Sequence, residues 1–169
     1  MMDKDRTANF LVIVESNKGI LFKVANSYCR NIEDRKDLVQ EIILQLWKSL
    51  DNYNEKFKLS TWIYRISLNV AISFYRKEKS RKRISNPITT DIFDFPDTEI
   101  SDEKETNLGI LNHIISELND LNKALMLLYL EEKSYKEISE IIGITETNVA
   151  TKIGRIKSQL KKEFNHLKN

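Results

Sequence analysis

Apolar residues along this chain recur at three- and four-residue spacing, the period of one face of an α-helix. Leu38, Ile42 and Leu46 stack at i+4 beside Val39, Ile43 and Trp47, which predicts an amphipathic helix from about Asp34 to Leu50. Its outward positions are Asp37, Gln40, Glu41, Gln45 and Lys48. Upstream, two further amphipathic helices are expected near Asp5–Glu15 and Lys18–Arg30, with Phe10, Leu11, Val14, Ile20, Leu21, Val24 and Tyr28 as their core side. A polar break follows at Asp51–Lys58, carrying the aromatic residues Tyr53 and Phe57 next to Asn54. The next predicted helix, about Ser60 to Arg83, is apolar around most of its circumference: Ile63, Tyr64, Ile66, Leu68, Val70, Ala71, Ile72, Phe74 and Tyr75. Such coverage means packing on several sides. One narrow stripe stays polar or amphipathic, made of Trp62, Arg65, Asn69, Ser73 and Arg76, and it is read as the exposed side. A ring, two guanidinium groups and an amide in line suit a nucleic-acid strand, the ring by stacking and the cations by charge.

The last third has a different grammar. Ser134 with Glu137 three residues on forms a capping box, followed by the apolar stripe Ile138, Ile141 and Ile142. Gly143 stands where a left-handed C-cap is needed, and Thr145 is the next N-cap candidate. In the helix after it, Val149, Ile153, Ile156 and Leu160 share one arc and are the buried side. The opposite arc carries Thr147, Thr151, Gly154, Arg155 and Ser158, flanked by Asn148 and Ala150, with Lys152 and Lys157 to the sides. Short hydrogen-bonding side chains suit base edges, and flanking cations suit phosphates. This is the pattern of a helix-turn-helix, whose second helix enters a major groove. The bland alternative is a helical hairpin with a solvated face, which would ordinarily carry more Glu and Lys.

Composition narrows the fold class. With 169 residues, four glycines, two prolines and 3.6-period stripes throughout, the chain is expected to be all-α, in two small helical domains. The net charge of +2 hides segmentation: residues 1–84 carry 17 basic against 10 acidic side chains, residues 85–110 carry 1 against 7, and residues 111–169 carry 9 against 8. The acidic stretch Asn86–Thr98 holds both prolines and no helical period, and reads as a linker. Its charge repels DNA, so it is either a solvated tether or a partner for a protein surface. Just before it, Arg76–Arg83 holds six cations in eight residues, a phosphate-binding cluster or a solubilising helix end.

Other chemistries find little footing. No apolar run is long enough for membrane insertion, and no signal peptide is visible. The single Cys29 sits among Val24, Ala25 and Tyr28 as a small core residue, which fits a reducing cytoplasm. His113 and His166 lack neighbours at metal-ligand spacing, and no glycine-rich phosphate loop occurs. Neither catalytic residues, nor a metal, nor a cofactor is expected. A carboxylate-based nuclease would need a metal-spaced acidic cluster that is not apparent.

Asp37-Leu38-Val39-Gln40-Glu41, Leu46-Trp47, and Phe57 through Trp62-Ile63-Tyr64-Arg65-Ile66 to Asn69 resemble region 2 of bacterial sigma factors of the extracytoplasmic-function (ECF) group. Leu118–Leu160, with Tyr135-Lys136-Glu137-Ile138 and the Ile144–Lys152 turn and helix, resembles their region 4. The resemblance implies a region 2 domain over 1–84, a linker over 85–106 and a region 4 domain over 107–169. It implies a non-enzymatic, cytoplasmic protein that binds core RNA polymerase and promoter DNA, with an anti-sigma factor as a further partner. By position, Asp37, Gln40, Glu41 and Gln45 would meet polymerase, and the −10 element would meet Tyr53, Asn54, Trp62, Arg65, Asn69, Ser73, Arg76 and Lys77. The −35 element would meet Thr147, Asn148, Ala150, Thr151, Lys152, Arg155 and Ser158. The recognition helix departs from the group at Ala150, where a basic residue is common, and at Asn148, where Thr is common. Ala150 could touch a thymine methyl, and Asn148 could bond a base or cap the helix. A stand-alone helix-turn-helix regulator is the other reading, and it leaves Asp37–Arg83 without a role.

Overall fold

Helix-forming sequence runs almost without interruption through the N-terminal half. The computed structural model describes residues 2–85 and 102–168, and all regular structure among them is helical. Helices α1 (Met2–Tyr28), α2 (Ile32–Ser49) and α3 (Leu59–Ser85) pack against one another, with a short 3₁₀ turn at Leu50–Asn52. Helices α4 (Asp102–Glu117), α5 (Asp120–Leu130), α6 (Tyr135–Ile142) and α7 (Glu146–Lys168) form the second half.

The two helices expected at the start are one. The polar run Ser16–Gly19 interrupts the apolar stripe but not the helix, along which the Asn17 side-chain amide donates to the Ile13 carbonyl at 2.8 Å. An unbroken helix fixes one phase, which places Phe10, Leu21, Val24 and Tyr28 inside. Leu11, expected in the core, falls about a quarter turn away and is 60% exposed. In α2 the cap is Asn31, whose side chain accepts from the Asp34 amide, so the helix starts slightly before the expected Asp34. Leu38, Ile42 and Leu46 are buried as their spacing requires. Trp47 closes the edge of this core against Phe10, with ring centroids 5.1 Å apart, and the Arg6 guanidinium lies 4.6 Å over the Trp47 ring.

The second half is built on local signals. Asn119 caps α5 by accepting from the Asn122 amide. Both halves of the Ser134–Glu137 capping box are formed on α6. Gly143 adopts φ +82°, the left-handed conformation its position demands. Ile138 and Ile141 meet Val149, Ile153, Ile156 and Leu160 of α7 in the core.

Ser85 closes α3, and residues 102–106 open α4, so both ends of the expected 85–106 linker are helical. Its remainder, with most of the acidic stretch, lies outside the described residues. The two halves touch: α3 packs on α6, and α1 on α5.

Candidate nucleic-acid interface

On α7, the side opposite the buried Val149–Leu160 stripe is open to solvent. Thr147, Asn148, Ala150, Thr151, Arg155 and Ser158 are all exposed, and Lys152 is half-buried at the flank. A shallow depression runs along this face from Ala150 past Arg155 to Gln159 and Lys162. Gln159 and Lys162 extend the face by a turn beyond the residues singled out from sequence. The Thr151 and Ser158 hydroxyls donate to the Thr147 and Gly154 carbonyls at 2.9 and 3.1 Å, so each keeps lone pairs free for a ligand. Thr145 Oγ1 accepts from the Asn148 amide at 3.2 Å, which makes Thr145 the cap and leaves the Asn148 side chain pointing outward as an exposed amide. The Lys157 ammonium lies over the Tyr129 ring and donates to its hydroxyl at 3.1 Å. That hydrogen bond raises its affinity for a proton.

The α3 stripe is not one exposed surface, contrary to its reading from the helical wheel. Trp62 is buried, only 9% exposed, and its ring sits 5.2 Å from that of Tyr53. Arg65 is half-buried, with its guanidinium 5.1 Å over the Phe57 ring and donating to the Glu140 carbonyl of α6. Arg76 donates to Asp120 of α5 at 2.8 Å. Asn69, Ser73 and Lys77 remain exposed and line a groove of about 530 Å³ between α3 and α2. The wheel identifies the side that lacks an apolar core but not whether another polar surface covers it. Ahead of α3, the loop closes on itself: Tyr53 donates to the Phe57 carbonyl at 2.9 Å, and Asn54 accepts from the Lys56 amide at 3.0 Å.

The outward side of α2 presents Asp37, Gln40 and Glu41, all exposed, while Gln45 is half-buried and lines the same α2–α3 groove as Glu41. At its centre stands Leu44, 45% exposed, which sequence reasoning missed. The signal was available, since Leu44 is out of phase with the buried Leu38–Ile42–Leu46 stripe.

Where the halves meet, charge is sorted by side. Lys23 pairs with Glu131, Arg30 with Glu117 at 3.9 Å, Lys58 with Glu137 at 3.0 Å, and Arg76 with Asp120. Every cation comes from α1, α3 or the loops between α1, α2 and α3, and every anion from α4–α6 or the turn after α5. The Ser134 amide, and then Lys58, hold the Glu137 carboxyl down at about 2. Tyr28 donates to the Asp120 carbonyl at 2.8 Å, and burial pushes its phenol well above the ordinary value. Burial likewise raises Tyr64 to about 12, with Lys133 5.4 Å over its ring. Among the described residues, no group of three His, Cys, Asp or Glu side chains is placed to hold a metal ion, and no helix is long and apolar enough to cross a membrane.

Both halves of the chain have counterparts in known families. Residues 13–81 match the Sigma-70 region 2 family, and residues 108–160 match Sigma-70, region 4. The chain is 30% identical over 131 residues to the ECF RNA polymerase sigma factor SigM of Bacillus subtilis (strain 168), covering 77% of this chain and 79% of that protein. The chain belongs to the ECF sigma factors. It is also 27% identical over 168 residues to SigW of the same organism, covering 94% of this chain and 90% of that one. As a family member it is an alternative sigma factor that directs transcription, and nothing favours a stand-alone regulator. Two solved structures share its fold: CnrH in complex with the cytosolic domain of CnrY (TM-score 0.67, 18% identity, 95% of this chain and 90% of that one), and RpoE of Bartonella quintana in complex with the anti-sigma factor NepR (TM-score 0.65, 19% identity, 96% and 98%).

Proposed function

We propose that this sigma factor engages polymerase through the outer side of α2, reads the −35 element with α7, and holds the melted −10 strand with α3 and the loop before it. The observation that carries this division is the contrast between the two nucleic-acid faces. The α7 face is free in the isolated chain, whereas Trp62, Arg65 and Arg76 are engaged by neighbouring protein groups. A −10 strand can take over Arg65 only after α6 moves off it, and it must compete with Asp120 of α5 for the exposed Arg76. Polymerase supplies that separation when Asp37, Gln40, Glu41 and Leu44 dock, and it fixes the spacing at which both DNA contacts act together.

The role needs no covalent chemistry and makes the protein a binding factor, not an enzyme. Unstacking costs a few kcal/mol per base step. Stacking an exposed base on an aromatic side chain returns about 1–3 kcal/mol, a role for Tyr53 or Trp62 once their mutual contact opens. Its place of action is the cytoplasm, where polymerase and promoter are. The solved relatives bound to CnrY and to NepR support a protein inhibitor for this chain as well, of the anti-sigma kind.

Run-off transcription tests the proposal: core polymerase, with and without this protein, on the DNA upstream of its own gene. Stimulation of a defined transcript, lost when the α2 side is altered as Asp37→Ala with Glu41→Ala, is the expected result. Absence of both stimulation and core binding would sink it.

A further inference from the structure

We propose that the cleft at the seam between the two halves binds a small phosphate-bearing polyanion of about nucleotide size. The cleft encloses about 860 Å³ and takes its walls from α1, α2, α3, α4 and α5. Lys123 of α5 lines it, although the residue is only 5% exposed. Its ammonium lies 5.5 Å from the Tyr28 ring and 5.0 Å from the Tyr75 ring. These ring faces are its contacts, and no described oxygen accepts a hydrogen bond from it. A cation so largely buried is costly without anionic or hydrogen-bonding partners; Asp120 offsets part of that cost, and the open cleft leaves room for a further anion.

Three more cations line the same cleft: Arg30, Arg35 and Lys79. Arg35 spends its Nε on the Cys29 carbonyl at 2.9 Å and keeps its terminal amino groups. Burial is the largest influence loosening the Lys123 proton; Asp120 acts to hold it, and Arg30 and Lys79 act to loosen it further, so the three cations lie within electrostatic reach of one another. The nearby acids Asp120 and Glu117 oppose them, Asp120 acting on Lys123 more strongly than Arg30 does, but both acids also face arginines. Asp120 is bonded to Arg76 at 2.8 Å, Glu78 to Arg81 at 3.3 Å, and Glu117 stands 3.9 Å from Arg30. Converging cations on separate rigid elements, with unspent donors and a roomy cleft, match an oligophosphate better than a single carboxylate. Because both halves build the walls, such a ligand would favour the packed arrangement over the separated one. That consequence rests on the proposed function; binding itself does not, and its test uses neither polymerase nor DNA.

Titration calorimetry on the full chain with inorganic pyrophosphate is the direct experiment. One saturable site is expected, weakened about tenfold or more by Lys123→Met and by Lys79→Gln, and unchanged by Lys18→Gln on the far part of α1. Pyrophosphate should also raise the thermal midpoint of the wild type but not of Lys79→Gln. Should Lys123→Met fail to fold by circular dichroism, Lys79→Gln and Arg30→Gln, both at exposed positions, decide the matter. No saturable binding at millimolar pyrophosphate would overturn the proposal, as would equal weakening by Lys18→Gln. Displacement of pyrophosphate by a single-stranded oligonucleotide, dependent on Lys123 and Lys79, would overturn the small ligand in favour of a nucleic-acid backbone.

Discussion

Two helices of this sigma factor carry similar polar chemistry on one side, and they end in opposite situations. On α7, Thr147, Thr151, Arg155 and Ser158 face solvent because every neighbour of α7 lies behind its Val149–Leu160 stripe. On α3, Trp62, Arg65 and Arg76 meet the loop, α6 and α5. The difference lies in what each helix packs against. Helix α7 packs on α4, α5 and α6 of its own half, whereas α3 is where α6 of the other half docks. The α3 cations donate to a carbonyl and a carboxylate, groups that stand where a phosphate oxygen would. The packed arrangement and DNA therefore compete for the same donors.

The sharpest way to break this comparison is at Trp62. If it is a packed residue in the free protein, Trp62→Ala should cost about 3–5 kcal/mol of stability, read from the midpoint of urea unfolding. A cost near that of an exposed substitution would mean that Trp62 is open like the α7 face. Arg155→Ala should behave in the reverse manner. It should leave unfolding within about 0.5 kcal/mol of wild type, and it should weaken −35 binding by the assembled holoenzyme by about 1–3 kcal/mol in footprinting titrations. Equal loss on a promoter with a scrambled −35 element would show that Arg155 meets phosphate, not a base.

How far each helix was legible in the sequence follows the range of the interactions that shape it. The α6–α7 unit was readable almost residue by residue, because Ser134–Glu137, Gly143, Thr145 and the Val149–Leu160 stripe act within a turn or two of themselves. The core of α2 was readable for the same reason. Helix α1 was misread as two, since a polar run at Ser16–Gly19 breaks a stripe without breaking backbone hydrogen bonds. The cover on Arg65 was out of reach: its partner carbonyl is 75 residues away, and a carbonyl carries no side-chain signature. The four ion pairs between the halves escaped because each side is mixed in charge, and only docking selects Lys23, Arg30, Lys58 and Arg76 from one side and acids from the other.

Glu137 belongs to both regions at once, as capping residue of the helix-turn-helix and as partner of Lys58 in the loop ahead of α3. Its carboxyl titrates at about 2 in the folded chain, against 4.5 for the unperturbed group. A depressed folded value means that its contribution is complete above about 4.5 and is lost as pH falls toward 2. Glu137→Gln should therefore destabilise the protein at neutral pH by about 0.5–1 kcal/mol and narrow its gap from wild type as the medium is acidified through that window. A gap that stays constant with pH would mean that the carboxylate charge contributes nothing beyond what an amide supplies.

The smallest effect separates shallow closure from rigid closure. Arg76 and Asp120 form an ion pair whose arginine side chain is 70% exposed, so a double-mutant cycle with Arg76→Ala and Asp120→Ala should return a coupling of about 1 kcal/mol or less. Added salt should reduce that coupling further, since exposed charges are screened. Four such pairs, each this weak, would leave an interface that polymerase can open without unfolding either half. A fluorescence pair across the seam, one dye on α2 and one on α7, should then lengthen its distance with salt while helicity stays constant. Coupling of several kcal/mol, insensitive to salt, would instead make the two halves a single rigid body. The α3 donors would then be structural, and the −10 strand would have to be held by Asn69, Ser73 and Lys77 in the groove that is already open.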